Sequence, residues 1–118
     1  MENVDFNVEN ARTQMRKGLL EFPTLLIVAK GEVYAFDILT QLKDADLIVV
    51  EGTLYPLLSR LKKSGLLEYT WRESKTGPPR KYYKLTKVGT KVLEELLATW
   101  NVLHSSITKL TKTYEKSS

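Results

Sequence analysis

The stretch EGTLYPLLSRLKKSGLLEYTWRESKTGPPRKYYKLT, residues 51–86, determines the predicted fold because its hydrophobic period changes partway along. In its first part leucines recur at helical spacing, which predicts a helix that begins at Glu51 or Gly52 and ends at Lys63. The inward side of this helix is formed by Leu54, Leu57, Leu58 and Leu61. The Ser-Gly pair that follows is a typical helix stop, so the chain turns directly after it.

The second part of the stretch predicts a β-hairpin. Apolar and polar residues alternate over residues 67–72 and again over 80–85, which is the period of a strand with one buried face. The intervening ESKTGPP, residues 73–79, is rich in turn-forming residues and predicts the tip. Tyr82 and Tyr83 are neighbours in the second strand, so one should pack inward and the other outward. The pattern leaves open which of them does so.

Two further helices are predicted before this stretch. Apolar residues recur at helical spacing over residues 11–30, and Pro23 within them predicts either a kink or the start of a new helix. The second helix covers residues 35–43, and a short β-like run, residues 47–50, precedes the third. Three helices followed by a two-stranded hairpin, a mainly α fold with a small β part (α+β), is the winged helix-turn-helix, whose third helix enters the DNA major groove.

A long helix is predicted to close the chain, over residues 87–115, with Thr86 as its N-cap. Its apolar positions step by three and four, as in a heptad seam. They are Leu93, Leu96, Trp100, Leu103, Ile107, Leu110 and Tyr114, and the first six form the predicted dimer interface. A helix of about 28 residues would be about 42 Å long, more than a domain of this size can cover. Packing on its own core is the simpler interpretation, but dimerisation explains the length better.

These elements divide the chain into a flexible acidic arm (residues 1–10), a winged-helix DNA-binding domain (11–86) and a C-terminal dimerisation helix with its tail (87–118). The absence of cysteine excludes disulfides and thiolate metal sites and agrees with a reducing compartment. The polar N-terminus does not resemble a signal peptide, and the apolar runs are too short to span a bilayer. We therefore expect a cytoplasmic protein without membrane association.

Positive charge is concentrated in residues 59–91, which contain ten basic and two acidic residues and net +8. The rest of the chain contains eight basic and twelve acidic residues and nets −4. A basic face beside an acidic body is typical of nucleic-acid-binding proteins, although a solvated surface would have the same composition. The order of elements around this basic stretch favours double-stranded DNA as the partner.

The candidate DNA contacts lie on the exposed side of the third helix and on the hairpin. Thr53 and Tyr55 lie near the helix N-terminus, whose N–H groups suit a phosphate. Ser59 and Arg60 lie about a turn further on, where an arginine can reach a guanine edge. The chosen set is Tyr34, which precedes the second helix, with Thr53, Tyr55, Pro56, Ser59, Arg60, Lys63, Lys75, Arg80 and Lys81. Lys62 is also exposed on the third helix, and Lys84 in the hairpin is a further expected phosphate or minor-groove contact. Packing against the core would equally explain Tyr55, and solvation the charges of the third helix.

Three motifs are specific enough to compare with known families: GTLYPLL at residues 52–58, RLKKSGLL at 60–67, and RKYYKLT at 80–86, which Gly89 follows. Together they closely resemble the PadR family of bacterial and archaeal transcriptional regulators, and the resemblance extends over about residues 16–114. The resemblance implies a homodimeric winged-helix repressor whose C-terminal helix supplies the dimer interface.

The single C-terminal helix resembles the short subgroup of that family, which includes multidrug-sensing regulators. In that subgroup a tryptophan on this helix faces its symmetry mate across a cavity and stacks on flat aromatic ligands. Trp100 stands at the corresponding position, so the resemblance implies a small aromatic effector bound by Trp100, Leu103, His104 and Ile107. Packing of the seam is the alternative role for Trp100, and hydrogen bonding or solvation is the simpler role for His104.

The sequence thus predicts a sequence-specific DNA-binding transcriptional regulator, a homodimeric repressor with release by a small hydrophobic or aromatic effector as a further expectation. The alternative is a winged-helix module for protein–protein interaction that does not read DNA. An enzyme is not expected, because the chain has no cysteine, one histidine, and no carboxylate pair or glycine-rich phosphate loop at a usable spacing. No cofactor and no metal site are predicted.

Overall fold

The computed structural model of the protein describes residues 5–47 and 49–117. In chain order the elements are α1 (Val8–Lys17), α2 (Glu21–Val28), β1 (Val33–Tyr34), α3 (Ala35–Asp44), α4 (Glu51–Lys63), β2 (Leu67–Ser74), β3 (Gly77–Leu85) and α5 (Lys87–Ser117). This order confirms the predicted winged helix-turn-helix followed by a long C-terminal helix. The third predicted helix is α4, and the hairpin β2–β3 is the element that we call the wing.

The hydrophobic core lies between α2, α3, α4 and the sheet. All four leucines predicted to face inward on α4 are buried: Leu54, Leu57, Leu58 and Leu61. They belong to one cluster with the most deeply buried residues of α2 and α3, namely Leu25, Val28, Ile38 and Leu42. Burying a leucine side chain contributes about 1.5–3 kcal/mol, so this row fixes α4 firmly on the domain. The opposite side of α4 is left to solvent.

The N-terminal helix begins earlier than the sequence predicted. Helix α1 starts at Val8, inside the predicted arm, and not at residue 11. Its cap explains this start, because the Asn7 side chain accepts a hydrogen bond of 2.9 Å from the Asn10 N–H. No residue of α1 is buried, so the helix lies on the surface. Residues 1–4 of the predicted arm lie outside the described residues.

The first predicted helix is divided in two rather than kinked. Helix α1 ends at Lys17, and α2 starts at Glu21. Pro23 therefore lies in the first turn of α2, where its missing N–H would have had no acceptor within the helix. Of the two predicted outcomes for this proline, the start of a new helix is the correct one.

The sheet has a third strand that the sequence did not predict. Strand β1 pairs antiparallel with β3, so the strand order is β1-β3-β2. Two residues are too few to display a period, which is why the pattern missed this strand. The β-like run at residues 47–50 is not a strand at Leu47, Val49 or Val50, and Ile48 lies outside the described residues.

The tip of the wing is shorter than predicted. Lys75 and Thr76 make the turn, so Pro78 and Pro79 belong to β3 and not to the loop. An irregularity in the pairing opposite these prolines, between Arg72 and Ser74, accommodates them. Strand β1 pairs only with the far end of β3, so the prolines lie where β3 is an edge and a missing N–H is tolerated.

Helix α5 is anchored at its start to the end of α4. Thr86 is the predicted N-cap, and its Oγ1 accepts a hydrogen bond of 2.9 Å from the Gly89 N–H and donates one of 2.6 Å to the Gly65 carbonyl. Gly89 packs so closely on Leu66 that a Cβ there would lie 2.1 Å from the Leu66 carbonyl oxygen. With 31 residues the helix is about 46 Å long and extends beyond the domain. Within the described ranges no helix is long and apolar enough to cross a membrane.

Candidate nucleic-acid interface

The solvent-exposed side of α4 carries the candidate DNA contacts that were predicted for this helix. Thr53, Tyr55, Pro56, Ser59, Arg60 and Lys63 are all exposed. The N-cap residue is Val50, which has no side-chain acceptor, so the N-terminus of α4 carries no side-chain cap. Pro56 lies in the second turn and cannot donate to the exposed Gly52, which adds a carbonyl to the polar groups of this surface. This side of α4 therefore presents backbone polar groups, hydroxyls and cations together.

The inner face of the wing carries Tyr69, Trp71 and Lys81. It contacts α4 because Lys81 from the wing and Lys62 from α4 both lie close to the Tyr69 ring. The Nζ atom of Lys81 lies 4.5 Å from the centroid of the Tyr69 ring and 5.4 Å from that of Trp71. From α4, the Nζ atom of Lys62 lies 5.3 Å from the same Tyr69 ring. A contact of this kind contributes about 0.5–1 kcal/mol at an exposed site. Two ammonium groups are thereby held at the junction of α4 and the wing.

The outer face of the wing carries arginines stacked on tyrosines. The guanidinium carbon of Arg80 lies 4.6 Å from the Tyr34 ring, and that of Arg72 lies 4.8 Å from the Tyr82 ring. The two tyrosine rings are 5.6 Å apart, and Arg72 also forms an ion pair with Glu32. Tyr34 comes from β1, so this stack fastens the wing to the segment that precedes α3. The two guanidinium groups thus lie over aromatic rings, although the Arg72 side chain is still 53% exposed.

The predicted wing residues are therefore divided between two faces. Arg80 and Lys81 are neighbours in a strand and point to opposite sides, Arg80 toward Tyr34 and Lys81 toward α4. Lys75 is exposed at the tip. The structure brings Tyr34 together with Arg80, and it brings Lys81 close to α4, but it does not place all of the wing cations on one surface.

Of the two junction residues Lys62 and Trp71, the sequence placed Lys62 on the exposed side of the third helix without choosing it as a DNA contact, and it did not select Trp71. Lys62 lies seven positions after Tyr55, a spacing that places both on the same side of a helix. Trp71 is opposite Lys81 in the strand pairing and is 61% exposed, an unusual position for an indole. Trp71 could be paired with Lys81 only once the two-residue turn was known, because the longer predicted turn does not define which residues of the two strands lie opposite each other.

The tyrosine that packs inward is Tyr83. It is buried in the core, whereas Tyr82 lies on the outer face with Tyr34. Burial raises the pKa of the Tyr83 hydroxyl above 10.0, and the nearby hydroxyls of Tyr69 and Tyr55 raise it further. The proximity of Tyr55 to Tyr83 places the exposed side of α4 next to the inner face of the wing.

The folded protein is expected to lose stability as the pH rises above about 10, and Tyr83→Phe is expected to reduce that loss. Because the pKa of Tyr83 is raised on folding, the unfolded chain loses this proton first. Stability is therefore full below the ordinary tyrosine pKa and falls as the pH rises through the raised one. Urea unfolding between about pH 8 and 11 measures this, with the exposed Tyr114 changed to Phe as the control. The same pH dependence in both variants would contradict the assignment.

Arg60, the predicted base-reading residue, is engaged in an ion pair. Its Nη2 atom lies 2.6 Å from Oε1 of Glu21, at the start of α2. Both side chains are more than half exposed, so water screens the pair and it contributes at most about 1 kcal/mol. Arg60 is thus accessible at the surface, but its guanidinium is already paired with Glu21 when no DNA is bound.

The predicted dimer seam of α5 has two parts. Leu93 is buried and Leu96 is half-buried, and both pack on the core of their own domain. Leu103, Ile107 and Leu110 are 54%, 58% and 66% exposed. The simpler interpretation of the seam therefore applies to its first turns, and the distal part remains an apolar surface facing solvent.

Trp100 lies at the boundary between these two parts. It is half-buried, and its ring centroid is 6.1 Å from that of Phe22 on α2 and 5.5 Å from that of His104. The other predicted effector-binding residues, Leu103, His104 and Ile107, are exposed. In residues 5–47 and 49–117 no group of three or more His, Asp or Glu side chains is arranged to hold a metal ion.

Comparison with known proteins gives a family and several similar structures. Residues 24–95 match the model of the transcriptional regulator PadR-like family. A PadR-like transcription factor from Bacteroides fragilis is 54% identical, with 86% of this chain and 98% of that chain covered and a TM-score of 0.71. A PadR-like transcriptional regulator from Bacillus cereus is 40% identical, with 82% and 95% covered and a TM-score of 0.74. Bacillus subtilis PadR, solved in complex with operator DNA, is 26% identical, with 67% and 47% covered and a TM-score of 0.62.

These matches agree with the arrangement of the elements. The family model covers the core helices, the wing and the anchored start of α5, which includes the three motifs noted in the sequence. The similarity to the Bacteroides fragilis structure extends over nearly the whole of that chain. The resemblance inferred from the sequence is confirmed, and the chain belongs to the PadR-like family of transcriptional regulators.

Proposed function

We propose that the protein is a homodimeric, sequence-specific DNA-binding repressor that places α4 in the major groove and the wing against the adjoining backbone. The observation that carries this proposal is the junction of α4 and the wing, where Lys62 and Lys81 lie around the Tyr69 ring. An α-helix fits the DNA major groove, and cations beside such a helix can neutralise the phosphates that flank the groove. The family membership and the operator complex of Bacillus subtilis PadR support the same conclusion.

The residues would make different kinds of DNA contact according to their position. Ser59 and Arg60 lie on the exposed middle of α4 and would contact base edges, while Lys62, Lys63, Lys75 and Lys81 would contact phosphates. The uncapped N-terminus of α4, with Thr53, Tyr55 and Pro56, would accept a further phosphate. Tyr34 and Arg80 lie on the outer face and would reach the backbone on the other side of the wing.

Binding to a labelled duplex tests the proposal. The duplex spans the promoter of the protein's own gene, a shuffled duplex is the control, and anisotropy is followed at several salt concentrations. If a dimer neutralises about eight phosphates, log K falls with log salt with a slope near −7, and the promoter duplex binds more tightly than the shuffled one. Equal binding to both duplexes would contradict sequence-specific regulation and favour the protein–protein interaction module.

We propose that the distal part of α5 forms the dimer interface, because Leu103, Ile107 and Leu110 lie on one side of the helix and are exposed. Seven-residue repeats of this kind are covered by a second helix in coiled coils. A symmetric dimer would then present two α4 helices at half-sites about 34 Å apart. The exposed area on one chain and the family membership support this state.

Ile107→Glu is expected to weaken dimerisation by more than about 100-fold, because it buries two unpaired carboxylates in the interface. Ser105→Glu is the matched control, since two residues correspond to about 200° of rotation and place Ser105 on the other side of α5. Sedimentation equilibrium of both variants measures the association constant. If the two substitutions weaken the dimer equally, the interface does not lie on the proposed side of the helix.

The effector site is proposed at the middle of the dimer interface, around Trp100, Leu103, His104 and Ile107. In the single chain the Trp100 ring has one side against Phe22, and the three other residues are exposed and would enclose a cavity with their symmetry mates. Aromatic surfaces of this kind suit a flat apolar or cationic ligand. Release of DNA would follow if the ligand favoured a different spacing of the two α4 helices.

A further inference from the structure

The first turn of α2 contacts both of the surfaces that the proposed function uses. Glu21 is the first residue of the helix and contacts α4, and Phe22 follows it and contacts α5. Consecutive helical residues point about 100° apart, so a single turn can reach two neighbouring elements. The two contacts are therefore joined through one rigid piece of backbone.

The contact to α4 involves the residue proposed to read a base. Glu21 Oε1 and Arg60 Nη2 are 2.6 Å apart, and the two residues are 39 positions apart in the chain. A carboxylate and a DNA phosphate or guanine edge require the same N–H groups of a guanidinium. Arg60 cannot satisfy both with the same pair of donors. DNA that contacts Arg60 must therefore displace Glu21 or share the guanidinium with it.

The contact to α5 involves the residue proposed to hold the effector. Phe22 is partly buried against the core, and its ring centroid is 6.1 Å from that of Trp100. The planes of the two rings are inclined at 41°, and the two side chains lie against each other where α2 meets α5. A change in the position of Trp100 therefore alters its contact with Phe22, which adjoins Glu21.

We propose that the first turn of α2 couples Trp100 to Arg60: Glu21 competes with DNA for the Arg60 guanidinium, and the packing of Phe22 against Trp100 sets how strongly it competes. This inference rests on the proposed DNA-binding function and adds to it Glu21 as a positioning residue and a route from α5 to α4. Coupling between sites is reciprocal, so releasing Arg60 from Glu21 also changes the surroundings of Trp100.

Glu21→Gln is expected to raise affinity for the promoter duplex about two- to fivefold at low salt, since an exposed ion pair of this kind contributes little. In an Arg60→Gln background the same substitution is expected to have no effect, because the competitor has lost its target. Glu9→Gln, which removes a carboxylate from α1, is the control for loss of charge alone. If Glu21→Gln raises affinity equally with and without Arg60, or if Glu9→Gln does so as much, the competition does not exist.

A second measurement needs no DNA. The chain has two tryptophans, so in a Trp71→Phe background Trp100 is the sole fluorophore of this type. Arg60→Gln is expected to shift the Trp100 emission in that background, and Phe22→Leu is expected to abolish the shift. Lys63→Gln, a loss of charge elsewhere on α4, is expected to leave the emission unchanged.

The two measurements separate the inference from the function on which it rests. If the wild-type protein does not prefer the promoter duplex, the proposed function is wrong, and the fluorescence of Trp100 still decides whether the turn is a coupling element. If the promoter duplex is preferred but Arg60→Gln leaves the Trp100 emission unchanged, DNA binding stands and the coupling is overturned.

Discussion

Changing both Lys62 and Lys81 to glutamine is expected to weaken binding to the promoter duplex by at least about 100-fold and to halve the salt slope. A dimer carries each substitution twice, so about four of the proposed eight phosphate contacts are lost. Each contact contributes about 0.9 to the slope of log K against log salt. The effect is large because the two ammonium groups lie around one ring at the junction of α4 and the wing. Anisotropy titrations across a series of salt concentrations measure affinity and slope together.

The matched control for this pair is Lys109→Gln with Lys116→Gln, which removes the same charge from the distal part of α5. These two lysines lie away from the proposed interface, so we expect little change in either quantity. Phosphate contacts carry no sequence information, so the promoter and shuffled duplexes should be weakened about equally. A loss of affinity without any change in slope would mean that the two lysines do not contact phosphates.

Gly89→Ala is expected to destabilise the folded protein by about 2–4 kcal/mol, among the larger effects of a single added carbon. The new Cβ would lie 2.1 Å from the Leu66 carbonyl oxygen, and the backbone there cannot move aside cheaply because Thr86 is hydrogen-bonded to Gly65 and Leu66. Urea unfolding at a fixed protein concentration measures the change, since the apparent stability of the proposed dimer depends on concentration.

Gly52→Ala is the control for this substitution. It also adds one carbon to a helical glycine, but nothing lies within 4 Å of the new Cβ and the backbone is not left-handed. We expect it to stabilise the protein slightly, by about 0.5–1 kcal/mol, through the lower entropy of the unfolded chain. If Gly89→Ala proves as harmless as Gly52→Ala, the close packing of α5 on Leu66 does not determine stability.

The helical period and the strand period were enough to predict most of the fold. The four leucines of α4 identified both its length and its buried side, because a core helix must bury residues at intervals of three and four. Thr86 identified the start of α5 because capping is a local interaction between residues close in sequence. The dipeptide β1 and the two-residue turn of the wing were missed because neither leaves a periodic signal.

The candidate site was predicted less completely, for a physical reason. A sequence pattern assigns a residue to a side of its own element, but it does not identify the partner on another element. The pairing of Arg60 with Glu21 joins residues 39 positions apart, and the stacking of Arg80 on Tyr34 joins two strands, one of which was not predicted. Such contacts depend on tertiary packing, so exposure and charge were predictable and the partners were not.

The anchored start of α5 limits which insertions and deletions this chain can accept. Because Thr86 and Gly89 fix the helix to the end of α4, any change of length between Gly89 and Trp100 rotates the distal helix instead of being absorbed by a loop. One added residue turns it by about 100°, whereas seven return it to within about 20°. In the proposed dimer, length changes in this segment that preserve the orientation of the two α4 helices should therefore come in sevens, each of which also lengthens α5 by about 10.5 Å, whereas single-residue changes would turn one α4 helix away from its half-site.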